Sequence, residues 1–155
     1  MRLTLRDLEP ADEPRVLRLF AECDDWFQAA TGHLSGPGDV QSLYYSLPEG
    51  ADFEQKRLLV AEAQGGMIGF VDLLLHYPDE RSAAIGCFLV PRELRRWGIG
   101  TEIANQLKKK YPDITRVTAS ITDDWKPGTE FLKKQGFQLD GKRAVLEIAP
   151  RSDGR

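Results

Sequence analysis

Residues 88–101 read Phe88-Leu89-Val90-Pro91-Arg92-Glu93-Leu94-Arg95-Arg96-Trp97-Gly98-Ile99-Gly100-Thr101, an apolar strand that passes through a basic turn into a helix. Gly98 and Gly100 let the backbone approach a ligand, the first N–H groups of the helix have no partner within it, and Arg95 and Arg96 add charge. That combination suits a phosphorylated ligand. An anion at such a helix end gains about 0.3–1 kcal/mol from the helix dipole, and up to ~2 when partly buried. A Walker loop is excluded because its Lys-Ser/Thr is missing, and a dinucleotide fingerprint needs GxGxxG with an acidic residue about 20 positions on. The plainer reading of these residues is a glycine-tolerant strand-to-helix turn with solvated arginines.

The elements that must position this turn follow from periodicity. Leu3 and Leu5 alternate with polar neighbours in a first strand, and Val16, Leu17, Phe20, Cys23 and Phe27 predict one helix from Pro14 to about Ala30. After a Gly- and Ser-rich loop, Val40, Leu43, Tyr44 and Leu47 predict a second helix closed by Pro48 and Gly50. Leu58–Ala63 and Met67–Leu75 read as a hairpin through Gln64-Gly65-Gly66, followed by a strand from Ala83 to Val90. A helix from Gly98 to Tyr111 puts Ile99, Ile103 and Leu107 on one face and Lys108, Lys109 and Lys110 in its last turn. Arg116–Thr122 is a strand, Pro127–Gln135 a helix with Gly136 as its C′ residue, and 137–139 with 142–148 a hairpin through Asp140-Gly141. The order β-α-α-β-β-β-α-β-α-β-β describes an α/β (α+β) chain with a mixed sheet and helices on both faces, one domain over 1–149 and a frayed tail over 150–155.

Composition narrows the partners. The 155 residues are 41% apolar and 29% charged, and 21 basic against 24 acidic side chains give a net charge of −3, which argues against a nucleic-acid partner. No apolar run has the length of a signal peptide or a membrane span, so the expectation is a cytoplasmic protein without a membrane partner. Cys23 and Cys87 have no metal-ligand spacing, so no metal is expected.

Arg95-Arg96-Trp97-Gly98-Ile99-Gly100 resembles the Q/R-x-x-G-x-G/A signature of the GNAT superfamily of N-acetyltransferases, and Phe131-Leu132-Lys133-Lys134-Gln135-Gly136-Phe137 resembles that family's aromatic-x-x-x-x-Gly-Phe segment. The element order matches from about Arg2 to Ile148. The resemblance implies a mostly antiparallel sheet with two parallel strands, ending near Val90 and Thr122, splayed around acetyl-CoA. It also implies that the turn from Arg95 to Thr101 holds the pyrophosphate and that the backbone of Phe88, Leu89 and Val90 meets the pantetheine arm. Where the family often has a pantetheine-binding Asn, this chain has Trp125, with Asp124 beside it as the remaining cofactor contact. The family's frequent acid, a Tyr, falls on Leu132, and the base of some members falls near Ala84.

Acetylation of an amine needs a neutral nucleophile held against the thioester, and proximity supplies much of the acceleration. With the usual positions empty, a proton relay falls to Asp72, His76, Glu80 or His33, each of which also has a plain reading as a solvated strand, turn or loop residue. The resemblance places the region between the first two helices over the acceptor. There Asp25, Trp26, His33 and Tyr45 suit an amine by charge and cation–π contact, or else Trp26 packs inward and the acids are solvated. Cys87 reads as a small hydrophobe. The function expected is acetyl transfer from acetyl-CoA to a small-molecule amine by direct attack, with a homodimer left open. The alternative is a non-catalytic binding protein for acyl-CoA or another phosphorylated ligand.

Overall fold

The computed structural model describes residues 2–121 and 125–149. Among them, β1 (Thr4–Asp7), α1 (Glu13–Ala21), α2 (Asp24–Thr31) and α3 (Pro37–Ser42) precede the meander β2 (Lys56–Ala63), β3 (Gly66–Leu75) and β4 (Ser82–Leu89). Then come α4 (Ile99–Lys110), β5 (Arg116–Ser120), α5 (Lys126–Lys134), β6 (Gln138–Asp140) and β7 (Arg143–Glu147). The strands form one seven-stranded sheet in the order β1-β2-β3-β4-β5-β7-β6, in which only β4 and β5 are parallel. The fold class is the mixed, mostly antiparallel α/β one expected. The tail over 150–155 and the end of β5 at Thr122 lie outside the described residues.

Both faces of the central strands are covered, which is why β2 and β3 read as nearly continuous apolar runs. Leu59, Ala61, Val71, Leu73 and Leu75 pack with Ile99 and Ile103 of α4. On the other face Val60 and Phe70 meet Val16, Leu19 and Phe20 of α1, Phe27 of α2 and Val40 of α3. A fully buried Leu or Phe stabilises by roughly 1.5–3 kcal/mol, so these two layers carry the fold. The β2–β3 turn is the tight one expected: Gln64 and Gly65 have φ of 53° and 77°, joining the paired Ala63 and Gly66.

Two helix expectations are corrected. The single helix from Pro14 to Ala30 is two helices, broken at Glu22 and Cys23. The break frees the Glu22 carbonyl to accept from the Arg92 N–H at 3.2 Å and aims the Cys23 thiol at the Val90 carbonyl, 3.5 Å away. It also folds Phe27 back to 5.0 Å from Phe20. The next helix starts earlier and ends sooner than Val40–Leu47 suggested, because Asp39 accepts from the Gly36 N–H at 2.8 Å and caps a start at Pro37.

At the β1 edge Arg6 donates to both Asp12 carboxylate oxygens, at 2.7 and 2.8 Å, and to Glu62 at 2.8 Å, locking the entry of α1 onto β2. Those hydrogen bonds hold buried Asp12 down at about 2, below its ordinary 3.8. A depressed carboxylate contributes stability that is full above 3.8 and lost as pH falls through about 2. Asp12→Ala should therefore cost about 1.5–3 kcal/mol at neutral pH and show a weaker loss of stability over that acid window, as read from urea unfolding at a series of pH values.

Candidate functional site

The site begins with one inserted residue. Asp72 of β3 pairs with Cys87 and Leu73 with Ile85, so Gly86 is an extra residue in β4, a bulge. A one-residue slip exchanges the faces of a strand. Ile85 belongs to the α4 layer, Cys87 and Leu89 turn to the α1–α2 layer, and Phe88 returns to the α4 side. Gly suits the position because a Cβ there would lie 3.1 Å from Asp72 Oδ2 and 3.3 Å from its Cγ. Pairing of β4 with β5 stops at Ile85 and Ala119, just before the bulge, and the strands diverge. Between them opens a groove of about 1090 Å³, walled by residues 85–90 and 119–121 and closed at its ends by the 95–101 turn and by α5.

In that turn Arg96 and Gly98 have φ of 77° and 79°. Among the described residues the amides of residues 96–101 donate to no backbone carbonyl, the first such bond in α4 being Glu102 N–H to Gly98 at 3.0 Å. Six successive N–H groups beside a positive helix end have the chemistry to donate to an anion's oxygens. The glycines serve different ends. A Cβ on Gly98 would meet nothing within 4 Å, so that position favours Gly for its φ alone, whereas one on Gly100 would stand 2.9 Å from the Phe131 ring, which is tilted against Phe88 at 5.3 Å.

Arg95 is a clamp. Its Nε donates to the Val90 carbonyl at 2.9 Å, its two terminal nitrogens donate to Asp25 at 2.5 and 3.1 Å, and its guanidinium lies 5.5 Å from the Trp125 ring centre. Trp125 in turn fills the space of a missing side chain on Gly128. α2, the turn and α5 are thereby joined across one end of the groove. Burial raises Asp25, but Arg95 outweighs it and holds the carboxyl below its ordinary range. Trp26 lines the same end, edge-on to Phe27 at 4.9 Å.

The structure thus brings together, along one groove, Asp25, Trp26, residues 88–90 and residues 95–101. Asp124 lies outside the described residues. Asp72 does not line the groove; it sits behind the bulge, where burial raises its carboxyl and Lys56, 3.5 Å away, opposes the shift. His76 and Glu80 stand in the β3–β4 turn, at the start of β4, and neither lines the groove. From Ser82 to Phe88 the strand rises ~20 Å, so that turn is remote from the open end. His76 Nδ1 is 2.6 Å from the Glu80 carbonyl and its Nε2 is 3.9 Å from Asp113. His33 is exposed with its ring nitrogen 2.9 Å from the Leu34 carbonyl, and Tyr45 is 72% exposed. Neither lines the groove. Leu132 packs in the layer of Ala119 and Phe137. Burial pushes the Cys23 thiol up to about 11 and Cys87 well above its ordinary value, so both are poor thiolates. No group of three His, Cys, Asp or Glu among the described residues could hold a metal ion.

Gly86 and Gly128 are the site residues that sequence reasoning missed, and Trp125 entered it only as the occupant of the family's Asn position. Each left a trace: a glycine inside a strand signals a bulge, and a glycine three residues after Trp125 leaves room for its ring.

The model of the acetyltransferase (GNAT) family matches residues 19–137. No curated protein matches the chain. Among solved structures, an acetyltransferase from Thermus thermophilus superimposes with a TM-score of 0.81 at 20% identity, covering 96% of this chain and 98% of the other. A spermidine N-acetyltransferase from Vibrio cholerae, in complex with CoA and spermine, gives 0.71 at 18% identity, covering 96% of each. The PaiA N-acetyltransferase from Thermoplasma acidophilum, in complex with coenzyme A, gives 0.65 at 18% identity, covering 96% and 99%.

The two glycine roles predict different couplings. In a double-mutant cycle with Phe131→Leu, Gly100→Ala should show an interaction energy of at least ~0.5 kcal/mol, because the smaller partner relieves its clash, while Gly98→Ala should be additive. Additivity at both positions in denaturant melts would remove the packing role assigned to Gly100.

Proposed function

The chain belongs to the acetyltransferase (GNAT) family, and from that premise we propose that it transfers an acetyl group from acetyl-CoA to the nitrogen of a small-molecule amine by direct attack in a ternary complex. The observation that carries the reading is the junction of two features in one groove: six unpartnered amides at the 96–101 turn and the unpaired edge of β4 beyond its bulge. The turn would hold the pyrophosphate, with Arg96 exposed beside it, and the edge from Phe88 to Val90 would run along the pantetheine amides. The Val90 carbonyl already accepts from Arg95 and Cys23. Acetyl-CoA supplies an activated thioester. The residues of the chain hold and orient it, while Phe88, Phe131 and Leu132 exclude water from the groove.

Direct transfer, without a cysteine-bound acyl group, fits the raised thiols of Cys23 and Cys87. Leu132 is compatible with turnover, because a thiol with an ordinary pKa near ~8.5 leaves without strong help from an acid. The acceptor would enter from the α2 side, past Trp26. The reading takes residues 1–149 as the working unit, in a reducing cytoplasm, without metal, nucleic acid or membrane, and a homodimer is compatible with it. A binding protein without turnover is the second reading, favoured by the apolar Leu132 and Ala84 at the usual proton-transfer positions.

Coenzyme A should raise the melting temperature, and Gly98→Val should abolish that rise. Steady release of free thiol with a panel of amines should separate turnover from binding, with Cys87→Ala and added chelator leaving most of the rate. Leu132→Tyr should change that rate by less than about tenfold, or ~1.4 kcal/mol. A binding shift with no thiol release from any amine would select the second reading.

A further inference from the structure

Behind the bulge lies a buried ion pair. Lys56 of β2 and Asp72 of β3 keep only 8% and 15% of their side chains exposed. Lys56 Nζ donates to the Ser46 carbonyl at 2.7 Å and lies 3.5 Å from Asp72 Oδ2. That carboxylate lies against Gly86 and sits opposite Cys87 in the ladder, and both of those residues line the groove. Asp72 Oδ1 accepts from no group among the described residues, yet it is not a sealed, unpartnered atom. Lys56 also lines a second cavity, of about 430 Å³, with Tyr44 and Phe53. Burying two charges here gains nothing in stability that well-packed apolar residues would not give. The other titratable group facing Asp72 is the Cys87 thiol from β4, with Cys23 beyond it. α1, α2 and α3 present Phe20, Phe27 and Val40 to this layer.

Resting on the transferase reading, we propose that Asp72 receives the proton of the acceptor's ammonium and that Lys56 is the positioning residue that keeps Asp72 ionised and aimed at the bulge. The carboxylate is one strand from the groove wall, on the face covered by α1–α3, with one oxygen free. The R–NH3+ group of the acceptor gives one proton to Asp72, leaving R–NH2 and a neutral carboxyl. The nitrogen lone pair forms the new bond to the thioester carbonyl carbon. As the C–S bond breaks, its electron pair stays on sulfur, which takes the second proton from nitrogen. The carboxyl returns its proton to water, so one proton is released per turnover. Burial, which raises Asp72 against the pull of Lys56, brings the carboxyl closer to the range useful for this exchange.

The test combines kinetics with carboxyl carbon NMR of the full chain, with and without coenzyme A. Asp72→Asn should lower kcat/KM by about 100-fold or more and remove its acid limb, while the thermal shift with coenzyme A stays at the parent value. Lys56→Met should move both the acid limb and the Asp72 carboxyl titration to higher pH, because the ammonium no longer favours the carboxylate, and Lys56→Arg should return both. If Asp72→Asn does not fold, the double variant Lys56→Met/Asp72→Leu, which removes both charges, carries the test and should bind coenzyme A but transfer about 100-fold more slowly. A parent-like rate in Asp72→Asn or in that double variant, or an Asp72 titration that Lys56→Met leaves in place, overturns the proposal. If the parent acetylates no amine at all, the transferase reading fails and this proposal with it. An active parent with an equally active Asp72→Asn sinks this proposal alone.

Discussion

The extra residue at Gly86 is the constraint from which the rest of the site follows. It ends the pairing of β4 with β5 at Ile85 and Ala119, turns the later residues of β4 to new faces, and lets Asp72 press against the backbone of the groove wall. A regular strand would continue the ladder and close the sheet. The cost is a set of backbone groups without strand partners, which buried structure tolerates only where a ligand or water meets them. The groove is therefore the consequence of one local break in hydrogen bonding.

Charge at the turn is distributed differently from what its two arginines suggest. Arg95 is committed to Asp25, to the Val90 carbonyl and to the face of Trp125, so its charge is compensated and its work is to join three segments. What the turn leaves without a partner among the described residues is the backbone amides of 96–101, beside the dipole of α4. Asp25, by the same commitment, is not a free carboxylate for an amine.

The sequence revealed the sheet strands and the helix of the 99–110 stretch well, because both kinds of element obey a short period that burial on one or two faces enforces. It misread the segment from Pro14 to Ala30 as one helix, since Val16, Phe20, Cys23 and Phe27 keep helical spacing straight across the break. What interrupts it is remote: the Val90 carbonyl and the Arg92 amide, some seventy residues on, which take the backbone and thiol groups of Glu22 and Cys23. No local propensity records such a competitor.

At the site itself, the order of strand, basic turn, paired glycines and helix was legible because the conformational need for glycine and the unpaired N–H groups of a helix start are properties of consecutive residues. The sequence alone determined the glycine-bearing basic turn at the start of α4 and the class of sheet behind it. Only the tertiary structure decided which side chains face the groove. It set His76 and Glu80 at the far end of β4 while bringing Lys56, Asp72 and Gly86 together from three strands. It also gave Gly100 a packing role against Phe131 that its place in the motif does not suggest. Cross-strand register and the packing of α5 on α4 are long-range. A single residue inserted in β4 changes every neighbour relation beyond it, and the residue types along the chain do not encode that geometry until the strands are paired.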